Sequence, residues 1–109
     1  MSWKIDFYDA KVEKDIKSWP KTIIAKYNWI SDLIEEFGPE NVGMPHVRPL
    51  SKGLFEIRAK GVEGLGRAIF CMVKGKIVVV LNGFIKKSQK TPPVELALAK
   101  KRMQEVKND

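Results

Sequence analysis

Only one cysteine and one histidine occur in these 109 residues, and the scarcity of both sets early limits. Cys71 has no partner for an internal disulfide, and no His, Cys, Asp and Glu spacing matches a metal site. The longest apolar run, Ile77 to Leu81, is far too short to cross a bilayer. Asp6 and Asp9 interrupt the apolar stretch that a secretory signal needs, so the expected setting is the cytoplasm, away from membranes. No glycine-rich phosphate loop is present: Gly61 to Gly66 precedes a strand pattern, not a helix. Low-complexity stretches and internal repeats are also missing, and residues 1–109 read as one domain with roughly 65% of its unfolded surface to bury.

Acidic residues are scarce on one side only. Residues 1–49 hold 7 Lys/Arg against 8 Asp/Glu, net −1, whereas residues 50–109 hold 13 against 5, net +8. A chain of net charge +7 calls for an anionic partner, and position decides which one. The basic C-terminal segment presents Leu96, Ala99, Met103 and Val106 on its apolar side, a face suited to docking on a core and not to lying on a membrane.

Hydrophobic periodicity gives the architecture. Trp3, Ile5 and Phe7 alternate with polar residues as in a first strand. Asp9 is a helix cap, and Val12, Ile16 and Trp19 mark a short helix that Pro20 ends. Ile23, Tyr27, Ile30, Ile34 and Phe37 step by four and three along a second helix, stopped at Gly38-Pro39. After an irregular segment from Pro39 to Pro49 come strands near 54–59, 65–73 and 76–84, then a helix from about Pro93 to Val106, with Thr91 as cap and Pro92 at its first position. The expected fold is α+β: an N-terminal strand and helical hairpin packed on an antiparallel sheet, with a C-terminal helix.

A four-residue turn at 61–64 sets Arg58 opposite Arg67, and a two-residue turn at Lys74-Gly75 sets Arg67 opposite Asn82. One face is then apolar (Phe55, Ile57, Ala59, Ala68, Phe70, Met72, Ile77, Val79, Leu81) and is expected to receive the helices. The other carries the row Arg58, Arg67, Asn82, with Phe84 and Lys86 of the same parity. Opposed like charges destabilise a strand pair by a few tenths to about 1 kcal/mol, so paired arginines imply an anion. Phosphate fits the planar guanidinium fork. Glu56 shares that face as a salt-bridge partner, Phe84 is a base-stacking candidate, and His46 and Cys71 read as structural residues.

Leu54-Phe55-Glu56-Ile57-Arg58, Arg67, and above all Gly83-Phe84-Ile85-Lys86-Lys87-Ser88-Gln89-Lys90-Thr91-Pro92 leading to Glu95, Ala99 and Arg102, resemble the RelE/HigB superfamily of bacterial toxins, in its phage-related host-inhibition HigB-type branch. The resemblance covers most of the chain and implies the RelE/ParE-like fold. It further implies an endoribonuclease that cleaves messenger RNA at the ribosome without metal or other cofactor, restrained by a cognate helix-turn-helix antitoxin. In that family the ribose 2′-hydroxyl attacks the adjacent phosphate. By position, Arg58, Arg67, Lys86 and Lys87 would be the catalytic residues, with Lys60, Asn82, Phe84, Lys90 and Arg102 binding RNA around them. Relatives often carry histidine where this chain has Asn82, and an aromatic residue where it has Gly66. Two other readings share these residues: a non-catalytic toxin of the same fold acting through protein contacts, like the ParE branch that inhibits gyrase, and a nucleic-acid-binding module that does not cleave.

Overall fold

A computed structural model describes residues 2–86 and 90–108. Among the described residues nine elements follow one another: β1 (Lys4–Phe7), α1 (Ala10–Lys17), α2 (Lys21–Phe37), α3 (Pro39–Val42), β2 (Val47–Pro49), β3 (Phe55–Gly61), β4 (Gly64–Val73), β5 (Ile77–Lys86) and α4 (Pro93–Lys107). The strands form one sheet in the order β1-β5-β4-β3-β2, with β1 parallel to β5 and all other pairs antiparallel. This is the expected α+β arrangement, with one strand more than the sequence pattern suggested.

Local chemistry sets the element ends. Asp9 accepts from the Val12 amide at 2.9 Å and starts α1. Gly38, at φ 87°, ends α2 in a conformation other residues resist, and the Trp3 indole lies where its Cβ would be. Ile23, Tyr27, Ile30 and Ile34 are buried as their spacing requires, but Phe37, placed in the same stripe, is 52% exposed. Helix α4 begins at Pro93 as expected, but its cap lies one residue later than expected: Pro92, not Thr91, takes the cap position, with no side-chain cap. Thr91 is freed from capping and donates instead to Glu56 Oε2 at 3.3 Å.

Helices cover both faces of the sheet, which corrects the expectation of a single helical face. On one side α1 and α2 bury Ile16, Ile23, Ile30 and Ile34 against Ile57, Ala59, Ala68, Phe70, Val78 and Val80. On the other, α4 lays Leu96, Ala99 and Met103 over Leu54, Ile69, Cys71, Val79 and Leu81. Each fully buried aliphatic side chain contributes roughly 1.5–3 kcal/mol, so both layers are needed to hold a sheet with two apolar faces.

The β3–β4 register is as expected, with Lys60 opposite Leu65 and Arg58 opposite Arg67. Between β4 and β5 it is not. The turn there takes three residues, Lys74-Gly75-Lys76, the last two at φ 87° and 60°, so that Val73 pairs with Ile77. A bulge follows: Ile69 pairs with Asn82 but Phe70 with Val80, leaving Leu81 as the extra residue. Arg67 therefore faces Phe84 and not Asn82. The bulge also reverses parity along β5. Before it, Val79 and Leu81 join the α4 layer while Val78 and Val80 join the α1–α2 layer, opposite to the expected assignment. Beyond it, Asn82 and Phe84 fall on the α4 side.

Candidate functional site

Where the α4 layer ends, the sheet face turns from apolar to cationic. Two cross-strand rows define it: Arg48–Glu56–Ile69–Asn82, and Arg58–Arg67–Phe84. A third row, Lys60–Leu65–Lys86, is set by backbone pairing at the hairpin tip.

Glu56 is the centre of the cluster and is fully buried. Arg48 Nη2 lies 3.2 Å from its Oε1 and Arg58 Nε 3.5 Å from the same oxygen. These are ion pairs without hydrogen-bond geometry: among the described residues Glu56 Oε1 accepts no hydrogen bond, and the buried Nε groups of Arg48 and Arg58 find no acceptor. Arg67 is buried beneath them. Burial pulls its guanidinium below the usual arginine value; the Glu56 carboxylate pulls it back up, and the Arg48 and Arg58 charges push it down again. Two guanidiniums thus contact one buried carboxylate and a third, that of Arg67, lies buried close enough to feel its charge, so that the four groups together carry a net charge of +2. The Arg48 and Arg58 side chains retain 29% and 17% exposure, so they are the two that an incoming anion can reach.

Arg48 is the residue that sequence reasoning missed. It sits between Val47 and Pro49, in a segment that reads as irregular because of its prolines. Proline is nevertheless compatible with an edge strand, and β2 is one of the two edges of this sheet. Alternation of buried Val47 with Arg48 was the available signal.

The remaining sequence candidates separate into three groups. Arg58, Arg67 and Phe84 are brought together in one row, and Lys60 is exposed one pairing step away. Asn82 and Arg102 are engaged with the scaffold. Asn82 is 4% exposed, and its amide donates to Glu95 Oε1 at 2.9 Å and to the Glu95 carbonyl at 3.2 Å. Arg102 donates to the carbonyl of the bulged Leu81 at 2.7 Å and lies over the Tyr8 ring at 4.5 Å, where the tyrosine hydroxyl also donates to Glu105. These contacts fasten α4 to β5 and to the end of β1, so Arg102 has a structural place beside the cationic rows and not within them. Lys90 is exposed, whereas Lys87 and the Lys86 side chain lie outside the described residues.

His46 sits elsewhere, edge-on to Trp29 with ring centroids 5.0 Å apart, and burial lowers its pKa, as does the nearby Lys26. Cys71 is buried in the α4 layer, where desolvation raises its thiol pKa. Among the described residues no three His, Cys, Asp or Glu side chains cluster as metal ligands would.

Gly66 has a structural cause on the opposite face. A Cβ there would stand 2.6 Å from the Trp19 ring and 2.7 Å from Ile23, so an aromatic side chain cannot fit without rebuilding the helical layer. Gly83 is hemmed in likewise by Ile16 at 2.7 Å.

Comparison with known proteins agrees with this architecture. Residues 14–104 match the family described as phage derived protein Gp49-like (DUF891). An archaeal RelE, solved as a RelE–RelB complex from Pyrococcus horikoshii OT3, superposes with a TM-score of 0.58 at 21% identity, covering 83% of this chain and 100% of that one. A double arginine-to-alanine mutant of the E. coli toxin RelE, solved in the free state, gives a TM-score of 0.60 at 17% identity, covering 94% and 99% respectively. No curated protein matches the chain as a relative. With most of its length matched by that family and its strands and helices superposing on two RelE structures, the chain belongs to the phage-derived Gp49-like family and has the RelE toxin fold.

Proposed function

We propose that this protein is the toxin of a toxin–antitoxin pair and that it acts as a metal-independent endoribonuclease on messenger RNA at the ribosome. The observation that carries the reading is the meeting of Arg48, Arg58 and Arg67 from three adjacent strands around one buried carboxylate. Such a cluster suits a phosphodiester whose charge grows during reaction. The family match and the RelE fold support the toxin assignment, and the archaeal neighbour, solved with RelB, supports an antitoxin as partner. By the resemblance, that antitoxin is a helix-turn-helix protein.

In the proposed reaction the ribose 2′-oxygen forms a bond to the adjacent phosphorus while the bond to the 5′-oxygen breaks. A cyclic phosphate and a 5′-hydroxyl result, and the 2′ proton is balanced by one delivered to the leaving oxygen. Arg58 and Arg48 would contact the non-bridging oxygens, Arg67 would add positive field from below, and Phe84 would support a neighbouring base. Lys60 and Lys90 would hold flanking phosphates, and Lys86 and Lys87 would bind the phosphate or move protons. Asn82 can move none, and with its amide committed to Glu95 its role here is to hold α4 against the site.

Incubating ribosomes and messenger with the protein and mapping new 5′ ends tests cleavage directly, with EDTA present to test metal independence. Arg58→Ala is expected to abolish growth inhibition while antitoxin binding persists. Retained toxicity in that variant would favour a toxin acting through protein contacts. The amide at position 82 favours one second reading, RNA binding without cleavage, which would show steep salt dependence and no new ends.

A further inference from the structure

The outer flank of α2 presents a ridge that stays largely exposed among the described residues, with only the His46 ring and the Lys26 side chain set against Trp29. Ala25, Trp29, Leu33 and Phe37 follow at steps of four, a ridge about 18 Å long. Trp29 is 48% and Phe37 52% exposed. At one end lies a groove of about 700 Å³ whose lining includes Ala25, Lys26, Trp29, Lys60 and Val62, the last 90% exposed. At the other end Phe37 protrudes, with Glu36 and Glu40 exposed beside it. The ridge therefore carries a socket and cations at its start, and a projecting ring and carboxylates at its finish.

We propose that this face is a self-complementary interface at which two copies of the chain pair α2 against α2, antiparallel, about a twofold axis. The positions that would meet are all symmetric about residue 31: Ala25 with Phe37, Trp29 with Leu33, and Lys26 with Glu36. The first opposes a small residue to a large one, the second joins two apolar side chains and the third a cation to an anion, so that a single patch is complementary to itself as an isologous contact demands. Each Phe37 ring would enter the groove of the other copy beside Ala25 and Val62, at the crossing angle of about −50° at which two step-of-four ridges run along one another. Stacking of a nucleobase on Trp29 suits the site less well, because the Lys26 ammonium already sits over the indole, 4.7 Å from its centroid. Helix α2 packs on the sheet face opposite the arginine rows, so pairing leaves those rows open in both copies. The inference does not depend on the nuclease reading.

Sedimentation of the purified full-length chain at concentrations up to about 0.5 mM tests it. The weight-average mass should climb from 12.4 kDa toward twice that value. Phe37→Glu should weaken association by about 30-fold, as loss of a central aromatic anchor does. Lys26→Glu and Glu36→Lys should each weaken it by about tenfold, since every dimer contains the pair twice. Combining those two substitutions should restore association to near the original strength. Circular dichroism establishes that each variant is folded. A mass that stays at 12.4 kDa throughout overturns the proposal. So does a dimer that survives Phe37→Glu in a folded variant, or a double variant no better than the single ones.

Discussion

Replacing Glu56 with glutamine removes one charge and almost no volume, and it isolates what the buried carboxylate does. In the native protein Arg48 and Arg58 stand 3.2 and 3.5 Å from Oε1, while Arg67 lies buried in the adjacent row. At an effective dielectric constant of about 20 each of the two contacts represents about 5 kcal/mol of Coulomb attraction, most of which offsets the desolvation of the charges. Glutamine keeps an acceptor for Thr91 but leaves three guanidiniums repelling one another, for an expected loss of about 3 kcal/mol. With an unfolding entropy of about 0.23 kcal/mol/K for a chain of this size, the melting temperature should drop by about 13 °C. Differential scanning calorimetry in a chloride buffer measures it. Inorganic phosphate should then rescue the variant selectively, because the anion takes the vacated place. At 20 mM and a dissociation constant of about 1 mM, linkage gives about 1.8 kcal/mol, or about 8 °C, against about 1 °C for the wild type. A variant melting within about 3 °C of the wild type, or phosphate raising both alike, would refute the view of Glu56 as resident counter-ion of a phosphate site.

Other expectations follow from the same geometry. Arg48→Ala should lower the cleavage rate by about 10–100-fold, acting on KM and kcat together, because this guanidinium is one of the two an anion can reach; single-turnover kinetics on a short RNA would measure it. Gly66→Ala should destabilise by about 1–3 kcal/mol in urea titration, since its Cβ meets the Trp19 ring rather than a flexible chain end. His46 is held below its ordinary pKa, so the unfolded chain binds that proton more readily. Its contribution to stability is complete above about pH 6.5 and falls away as pH drops through the lower folded value. Relative to His46→Gln, the wild type should therefore lose stability on acidification below about pH 6.5, visible as converging or crossing melting curves.

How far the sequence alone revealed this site depends on where local signals end. Gly61 to Gly64 encodes a turn of known length, and counting back from it places Arg58 opposite Arg67, as observed. Between β4 and β5 the same arithmetic fails, because a left-handed Lys76 adds a residue to the turn and the bulge at Leu81 adds another. Neither announces itself: lysine is a poor signal for positive φ, and Val78 to Leu81 is apolar on both parities. The run looks like a strand with one dry face but serves two cores, which is also why α4 could not be assigned its own face. Arg48 was hidden for a related reason. A three-residue edge strand between prolines has too little periodicity to register, although its partner Glu56 was already visible as an ion-pair former.

The bulge has a structural consequence that ordinary pairing could not supply. Without it, β5 would keep Val79 and Leu81 on the side of Asn82's neighbours, and Phe84 would turn away from Arg67. With it, one strand packs its first half under α4 and presents Phe84 to the arginines in its second half. The extra carbonyl, that of Leu81, is the acceptor for Arg102, and Asn82 beside it is gripped by Glu95. Helix α4 is thus bolted to the irregularity itself, at two points next to the cationic rows. Guanidiniums stabilise a developing charge only if they are held in place before it appears, and here the buried Glu56 supplies the holding force while the α4 contacts supply rigidity. Weakening the bolt with Arg102→Met should therefore reduce cleavage without removing any phosphate contact. The loss should be appreciably greater at 37 °C than at 15 °C, where α4 stays docked. Equal losses at both temperatures would instead assign Arg102 a direct part in binding RNA.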